Sequence, residues 1–509
     1  MREFNTKKEL LTYAEQAETS TFGEIDKYSR LDNKNLKGGL GQIIEESYFD
    51  YEINSNKEPD FKNLGIELKV TPIRELKSGL ISAKERLVLN IINYQEEYLN
   101  TFETSSFWTK NSELLIMFYL WKNEWERSEY PITKAMLHTF SEEDLLIIKQ
   151  DWEKIINKIK AGRAHELSEG DTNYLGAVTK GSSSKSTRKQ PFNNIPAKQR
   201  AYSLKQSYMT ALVRETVTEF DLQNATNLKI KKKIVDKKSP IIKDISILKE
   251  QKFDDYVIDL FNSYKNWTRA QLVERFNLEK KKNKPAKQIN YLIAQKILGV
   301  GGNSQEIHAK EFEKANIVAK TIELNNGNTP EEHLKIHEIN TFEEVTEVEW
   351  EESLLYEKLI STRYFFIIFD KLPDGEVVLK GAKFWSLPVT DLDQIVKPTW
   401  EAEKKKLKEG VQLTYTKYNN KNGYRVMNNL VEASNRKIIH IRPSARVSQY
   451  SPPHRDEDNK LMNNAKRLPV PAKWINRPDD LKEELQDNWM TKQAFWLNKD
   501  YVFGEIRRL

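Results

Sequence analysis

The stretch Asp60-Phe61-Lys62-Asn63-Leu64-Gly65-Ile66-Glu67-Leu68-Lys69, entered through Pro59, decides how this chain is read. Ile66, Leu68 and Val70 alternate with Glu67 and Lys69, the period of two that defines a strand with one buried face. Glu67 and Lys69 therefore project from the same side, about 7 Å apart. Gly65 permits a turn that brings Asp60 back beside the start of the strand. An acidic residue followed two places later by lysine is common in a lysine-rich chain, and carries weight here through its context. Two charges on one face of an otherwise apolar strand are a cost unless that face does something.

The chemistry these groups suit is phosphodiester hydrolysis. That reaction at neutral pH calls for a hard cation such as Mg²⁺, which takes oxygen ligands. Asp60 and Glu67 supply such oxygens, and Lys69 is placed to orient a water or to stabilise charge on the phosphate. Glu45, on a helix opened by Gly38-Gly39-Leu40-Gly41, is a further candidate ligand from across the site; the alternative is an exposed helix charge.

Outward from this segment, helical spacing runs from Thr6 to Glu18 (Leu10, Leu11, Ala14) and through Ile43, Ile44 and Tyr48. Arg86 to Ile92 and Glu113 to Trp121 read as strands, and Glu142 to Ala161 as a helix. The expected fold class is α/β, a mixed sheet flanked by helices. The apolar run Leu114 to Trp121 is too short to cross a bilayer as a helix, which takes roughly 20 residues, and reads as a buried strand.

At 509 residues the chain exceeds one ordinary core. The lysine-dense stretch from Ala225 to Lys249 marks a linker, giving domains over 1–220 and 251–509 joined by 221–250. The second half repeats the first at three ordered anchors. Asp60 to Lys69 aligns without gaps on Glu311 to Lys320; Trp152-Glu153 with Gly162 matches Trp400-Glu401 with Gly410; Ala201 to Lys205 matches Ala494 to Asn498. The position matching Glu67 is Val318, and that matching Asp60 is Glu311. Two tandem copies of one fold follow, the second lacking a metal-binding carboxylate.

The net charge of +6 says little for a chain of this length, so position matters more. Between Asp171 and Glu215 there is no acidic residue, while Lys180, Lys185, Arg188, Lys189, Lys198, Arg200, Lys205 and Arg214 are basic, with Tyr202 and Tyr208 interleaved. Such a mixture suits a grip on a phosphate backbone; the expected DNA contacts are Lys180, Lys185, Arg188, Lys198, Arg200, Tyr202 and Lys205, with Arg442 from a similar tract in the second half. No cysteine is present, which removes disulfides and thiolate chemistry and is compatible with the cytoplasm. His333 and His337 have the spacing of one helical face, without a His-Glu-x-x-His pattern or a third ligand. No Walker A loop, dinucleotide fingerprint or nucleophile elbow occurs.

Gly39-Leu40-Gly41-Gln42-Ile43-Ile44-Glu45, Pro59-Asp60-Phe61 and Gly65-Ile66-Glu67-Leu68-Lys69 resemble the active site of MutH-like endonucleases. His165-Glu166-Leu167-Ser168-Glu169-Gly170, Ala197-Lys198-Gln199-Arg200-Ala201 and Trp474-Ile475-Asn476-Arg477-Pro478 are similar more specifically to restriction endonucleases of the Sau-three-A type, so that the likeness covers nearly the whole chain. The resemblance implies a PD-(D/E)xK fold and Mg²⁺-dependent cutting of both DNA strands 5′ of the G in GATC. The family's catalytic residues fall on Glu45, Asp60, Glu67 and Lys69, and its additional lysine on Lys110. It further implies a second, inactive MutH-like domain that binds another GATC as an effector, dimerisation on DNA, and a methyltransferase that protects host DNA. The competing readings are a mismatch-repair nickase and a non-catalytic DNA-binding protein.

Overall fold

The computed structural model describes residues 2–33, 39–53, 56–181, 186–226, 238–278, 286–301, 306–330, 332–418, 423–445, 447–455 and 464–507. The run Leu114 to Leu120 is apolar throughout because it forms a strand with both faces covered. This strand, β4 (Glu113–Leu120), lies between β1 (Glu67–Glu75) and β5 (Ile132–Thr139), and β2 (Ile81–Ala83) completes the order β2-β1-β4-β5. β1 runs parallel to β4, while the β1–β2 and β4–β5 pairs are antiparallel, so the sheet is mixed. On one face Leu68, Leu115, Met117 and Ala135 pack on Leu10 and Ala14 of the helix Lys7–Glu15 and on Leu40, Ile43 and Ile44. Thr6 caps that helix by accepting a hydrogen bond from the Glu9 amide.

One expectation changes here. Strict alternation predicts Val70 buried and Glu67 on an open face, yet Glu67 is 3% exposed and Val70 half-buried. The register explains it: Glu67 lies opposite Leu114 and Lys69 opposite Ile116, so the charged pair shares its face with buried residues of the central strand.

A second sheet, antiparallel throughout, has the order β3-β9-β6, formed by β3 (Leu87–Ile91), β6 (Leu175–Thr179) and β9 (Arg200–Leu204). A separate hairpin joins β7 (Thr187–Gln190) to β8 (Asn193–Lys198). The helix Glu142–Lys160 is capped by Ser141, carries three acidic residues in its first turn, and buries Ile148, Trp152, Ile155 and Ile159. After it the chain turns at Gly162, φ +67°, where a Cβ would lie 2.9 Å from the Phe192 carbonyl oxygen.

The second half holds its own set of sheets. β10 (Ile317–Asn325), β12 (Arg363–Lys371) and β13 (Val377–Trp385) lie in the order β10-β12-β13; β11 (Leu334–Glu338), β16 (Ile439–Pro443) and β20 (Gln493–Leu497) form the antiparallel sheet β11-β20-β16. β14 (Gln412–Lys417), β15 (Tyr424–Asn428) and β18 (Lys473–Trp474) make a further small sheet, and β17 (Ala465–Arg467) pairs with β19 (Trp489–Thr491). The helix Lys397–Glu409 comes after β13 in the chain as Glu142–Lys160 comes after β5, and Gly410 after it, φ +95°, would place a Cβ 2.9 Å from the Pro471 carbonyl oxygen. Both edges of the expected linker differ from expectation. Residues 219–226 and 246–250 are helical, and Ile241, Ile242 and Leu248 are buried. By contacts the chain divides into one unit of 1–260 with 294–318 and another of 261–293 with 319–509. The lysines of 227–237 lie outside the described residues. Among the described residues no helix is long and apolar enough to cross a membrane.

Gly162→Ala meets both a left-handed backbone and a carbonyl contact, and is expected to cost about 2 kcal/mol. Thermal unfolding of the variant should show a lowered midpoint; an unchanged one would contradict this account of the turn.

Candidate active site

The turn that closes the site is short. Phe61 and Ile66 exchange backbone hydrogen bonds (2.9 and 3.3 Å), and Gly65 adopts φ +69° between them. Asp60 and Glu67 are thereby set side by side. The Asp60 amide donates to Glu67 Oε2 at 3.2 Å, and the Leu68 amide donates to Asp60 Oδ2 at 2.9 Å. Lys69 Nζ lies 2.6 Å from Glu67 Oε1, and Lys110 Nζ lies 3.5 Å from the same oxygen. Lys110 comes from the helix Ser106–Asn111 and also donates to the Asn56 carbonyl at 2.8 Å. Glu45 sits in the π-helical turn Ile44–Tyr48 that ends the helix begun at Gly39–Ile43, a distortion frequent at functional sites.

Burial, and then the neighbouring charge of Glu67, push the Asp60 carboxyl up to about 7 against the opposing Leu68 hydrogen bond. Burial likewise raises Glu45, with Lys69 and Lys110 pulling it down and Glu67 pushing it up. These are carboxylates short of positive charge. Among the described residues no group of three or more His, Asp or Glu side chains is arranged as a metal site; the closely paired carboxylates are Asp60 and Glu67, with Glu45 within electrostatic reach. That set fits Mg²⁺, which commonly uses one or two carboxylates and keeps several waters.

Residues the sequence reading did not single out hold this set in place. Glu97, 1% exposed, accepts from the Ser106 amide at 3.1 Å and from the Tyr202 hydroxyl at 3.2 Å, fixing the start of the helix that carries Lys110. The Asn111 side chain donates to Asn90 on β3 at 2.9 Å and anchors its end. An acidic residue in a tyrosine-rich turn was the available signal, and nothing local distinguishes it from a solvated charge.

The expected DNA contacts separate into two groups. Lys180, Arg188 and Arg442 are exposed and Lys198 is half-buried; Lys185 lies outside the described residues. Arg200, Tyr202 and Lys205 are instead structural. Arg200 and Tyr202 lie on the central strand of β3-β9-β6, 2% and 0% exposed, and Arg200 donates to the Ala177 carbonyl at 2.7 Å. Lys205 is fully buried and donates to the carbonyls of Thr172 and Ala315 at 2.5 and 3.2 Å. A basic tract read without its strand pairing cannot separate these from surface cations. The histidine pair also differs from its expected form: His337 lies on β11, bonded to Glu344 at 2.7 Å, and His333 precedes that strand, so no helical face unites them.

At the matching position of the second half, Glu311 is completely buried and accepts from the amides of Ile241 (3.0 and 2.9 Å) and Ile242 (2.9 Å). In the sequence alignment of the two halves, Val318 falls opposite Glu67.

The family model described as DNA mismatch repair enzyme MutH matches residues 49–151, which include Asp60, Glu67, Lys69 and Lys110. The type II restriction enzyme Sau3AI of Staphylococcus aureus is 38% identical over 489 residues, 94% of this chain and 94% of that protein. The chain belongs to the MutH-like type II restriction endonucleases. As a member it is a site-specific deoxyribonuclease acting on double-stranded DNA. DNA mismatch repair protein MutH of Shewanella woodyi is 32% identical over 183 residues, 35% of this chain and 77% of that protein. The MutH protein of Vibrio vulnificus strain YJ016 is 28% identical over 167 residues, 32% of this chain.

Because the raised Asp60 holds a proton that the unfolded chain has released, its contribution to native stability falls as pH rises from about 4 to about 7. Asp60→Asn should remove that penalty. Its melting midpoint without metal is expected to exceed the parent's at pH 8, with the difference vanishing near pH 4, and a constant difference across pH would refute the assignment.

Proposed function

We propose that this endonuclease cuts both strands at GATC, 5′ of the G, with Mg²⁺, and that its second half is an inactive copy that binds another GATC as an effector. The reading rests chiefly on the contrast between Asp60 and Glu67, paired with Lys69 and Lys110, and the matching Glu311 and Val318. Identity to Sau3AI along both halves supports the same target.

Asp60 and Glu67 would hold the cation, with Glu45 contributing from the π-turn. When bound, Mg²⁺ polarises the phosphoryl group and lowers the pKa of a water. Lys69, tethered to Glu67, presents an ammonium group to the water or to the charge that develops on phosphorus. Lys110 adds a second positive charge on the same oxygen of Glu67, and its bond to Asn56 keeps it pointed into the site. The Leu68 amide fixes the rotation of the Asp60 carboxylate before any ligand arrives. In the second half Glu311 already spends both oxygens on backbone amides and Val318 offers none, so the proposed inactivity follows from the side chains themselves.

One cutting centre per chain and a palindromic target imply that two chains meet on DNA. The enzyme would work in the cytoplasm beside a methyltransferase that protects the host's own GATC sites. A nickase sharing this active site is the second reading, favoured by the MutH matches; these span about a third of the chain and leave the second half unaccounted for.

With Mg²⁺, a sequenced plasmid should yield linear fragments whose ends map 5′ of the G in GATC; nicked circles alone would establish the nickase instead. Glu67→Ala is expected to abolish cleavage while a GATC duplex still binds, and full cleavage by the variant would sink the site. For the effector role, a short GATC duplex added in trans should accelerate cutting of a single-site plasmid, and a scrambled duplex should not. Equal rates with both would remove that role.

A further inference from the structure

The hairpin of β7 and β8 carries two large apolar side chains in the open. Phe192 at its tip is 69% exposed and Ile195 52% exposed, among exposed Arg188 and Lys189. The sequence from 172 to 214 holds no acidic residue, so the hairpin itself carries only cations beside this apolar tip. Phe192 also has φ +62°, a backbone conformation that glycine and asparagine adopt readily and phenylalanine does not. Asparagines follow at 193 and 194, so the aromatic residue occupies the strained position although a tolerant residue is its neighbour.

The strain is held by a rigid mount. Asn193 donates to the Gly162 carbonyl at 2.8 Å, buried Gln190 donates to the Ile195 carbonyl at 2.6 Å, and Gln190 accepts from the Ala164 amide at 2.7 Å. Gly162 has no side chain, which lets the Phe192 carbonyl approach. The mount leads towards the cutting centre. Phe192 meets Tyr98 edge-on at 5.2 Å, and Tyr98 ends the short helix Tyr94–Glu97. From that helix Glu96 pairs with Lys57 at 2.8 Å, and the preceding Asn56 accepts from Lys110. The hairpin is thus tied through one helix to a lysine of the active site.

We propose that the β7–β8 hairpin lies in a groove of the duplex beside the cutting site, its cations on phosphates and Phe192 inserted as an apolar wedge that unstacks a flanking base step. A two-stranded ribbon fits a DNA groove, and apolar side chains flanked by cations unstack base steps in proteins that deform DNA. Such a wedge makes cutting sensitive to bases outside the recognition sequence, with flexible pyrimidine–purine steps favoured. The inference rests on the family's action on double-stranded DNA and does not depend on GATC being the target.

The test uses the whole chain and short duplexes bearing 2-aminopurine at each flanking position in turn, without Mg²⁺. Wild type should raise the fluorescence at one flanking step, and Phe192→Asn, which suits the left-handed backbone, should abolish the rise. In single-turnover cleavage with Mg²⁺, Phe192→Asn should raise the half-saturating enzyme concentration about tenfold, with the maximal rate and the salt dependence unchanged. Phe192→Leu should restore most of the affinity. Lys189→Ala, by contrast, should flatten the salt slope by about one. The wedge is overturned if wild type raises no signal at any flanking position, or if Phe192→Asn matches wild type in both signal and half-saturation. Equal cutting of a scrambled duplex would instead overturn the GATC reading, and the Phe192 comparison can be scored on that duplex as well.

Discussion

Two carboxylates held side by side, one buried and the other half-buried, set the terms for the rest of the first half. Left to themselves, Asp60 and Glu67 would separate or take up a proton, and Asp60 is indeed driven towards its protonated form. What keeps them together is backbone. The Asp60 amide donates to Glu67, the Leu68 amide donates to Asp60, and the exchange between Phe61 and Ile66 closes the turn. The two lysines on Glu67 supply part of the missing positive charge. A cation that supplied the remainder would be bound by relief of repulsion as much as by attraction, which is how a site with few ligands can still hold a strongly hydrated ion.

The surrounding architecture serves that arrangement. β4 pairs with β1 edge to edge in parallel register, so that Glu67 and Lys69 lie beside its buried Leu114 and Ile116. Glu97 lies in the fold as a bracket between the second sheet and the helix of Lys110, so a residue that touches no substrate fixes where a site lysine stands. In the second half, too, the glycine after a long helix, Gly410, lacks a side chain and so admits a neighbouring carbonyl.

Much of this was legible in the sequence, and the gaps have a common origin. The period of two around Glu67, the Gly65 turn and the apolar run of β4 are local patterns with local causes. The Trp152 and Trp400 anchors likewise carried the repeat because each sits on a long helix with a glycine after it. What was not legible depends on which strands pair. Arg200 and Tyr202 looked like part of a basic, aromatic grip until β9 proved to be the middle strand of its sheet, where both faces are covered. Lys205 needed the Thr172 and Ala315 carbonyls, distant in sequence, to make its burial tolerable. The exposed Phe192 went unnoticed for the converse reason, since apolar residues are assumed to find cover.

Glu311 aligns with Asp60 in the sequence, and the two carboxyls are put to opposite uses. One carboxyl stays strained and available; the other is satisfied by the amides of Ile241 and Ile242 and staples a distant stretch of chain to its own helix. If the second half is the inactive copy proposed above, this difference acts as a ratchet. Returning a carboxylate at Val318 would not revive a metal centre, because the partner oxygen could be freed only by loosening the chain around Ile241. Descent from a shared ancestor would then be easy in one direction and barred in the other, with folding stability rather than catalysis guarding the barrier.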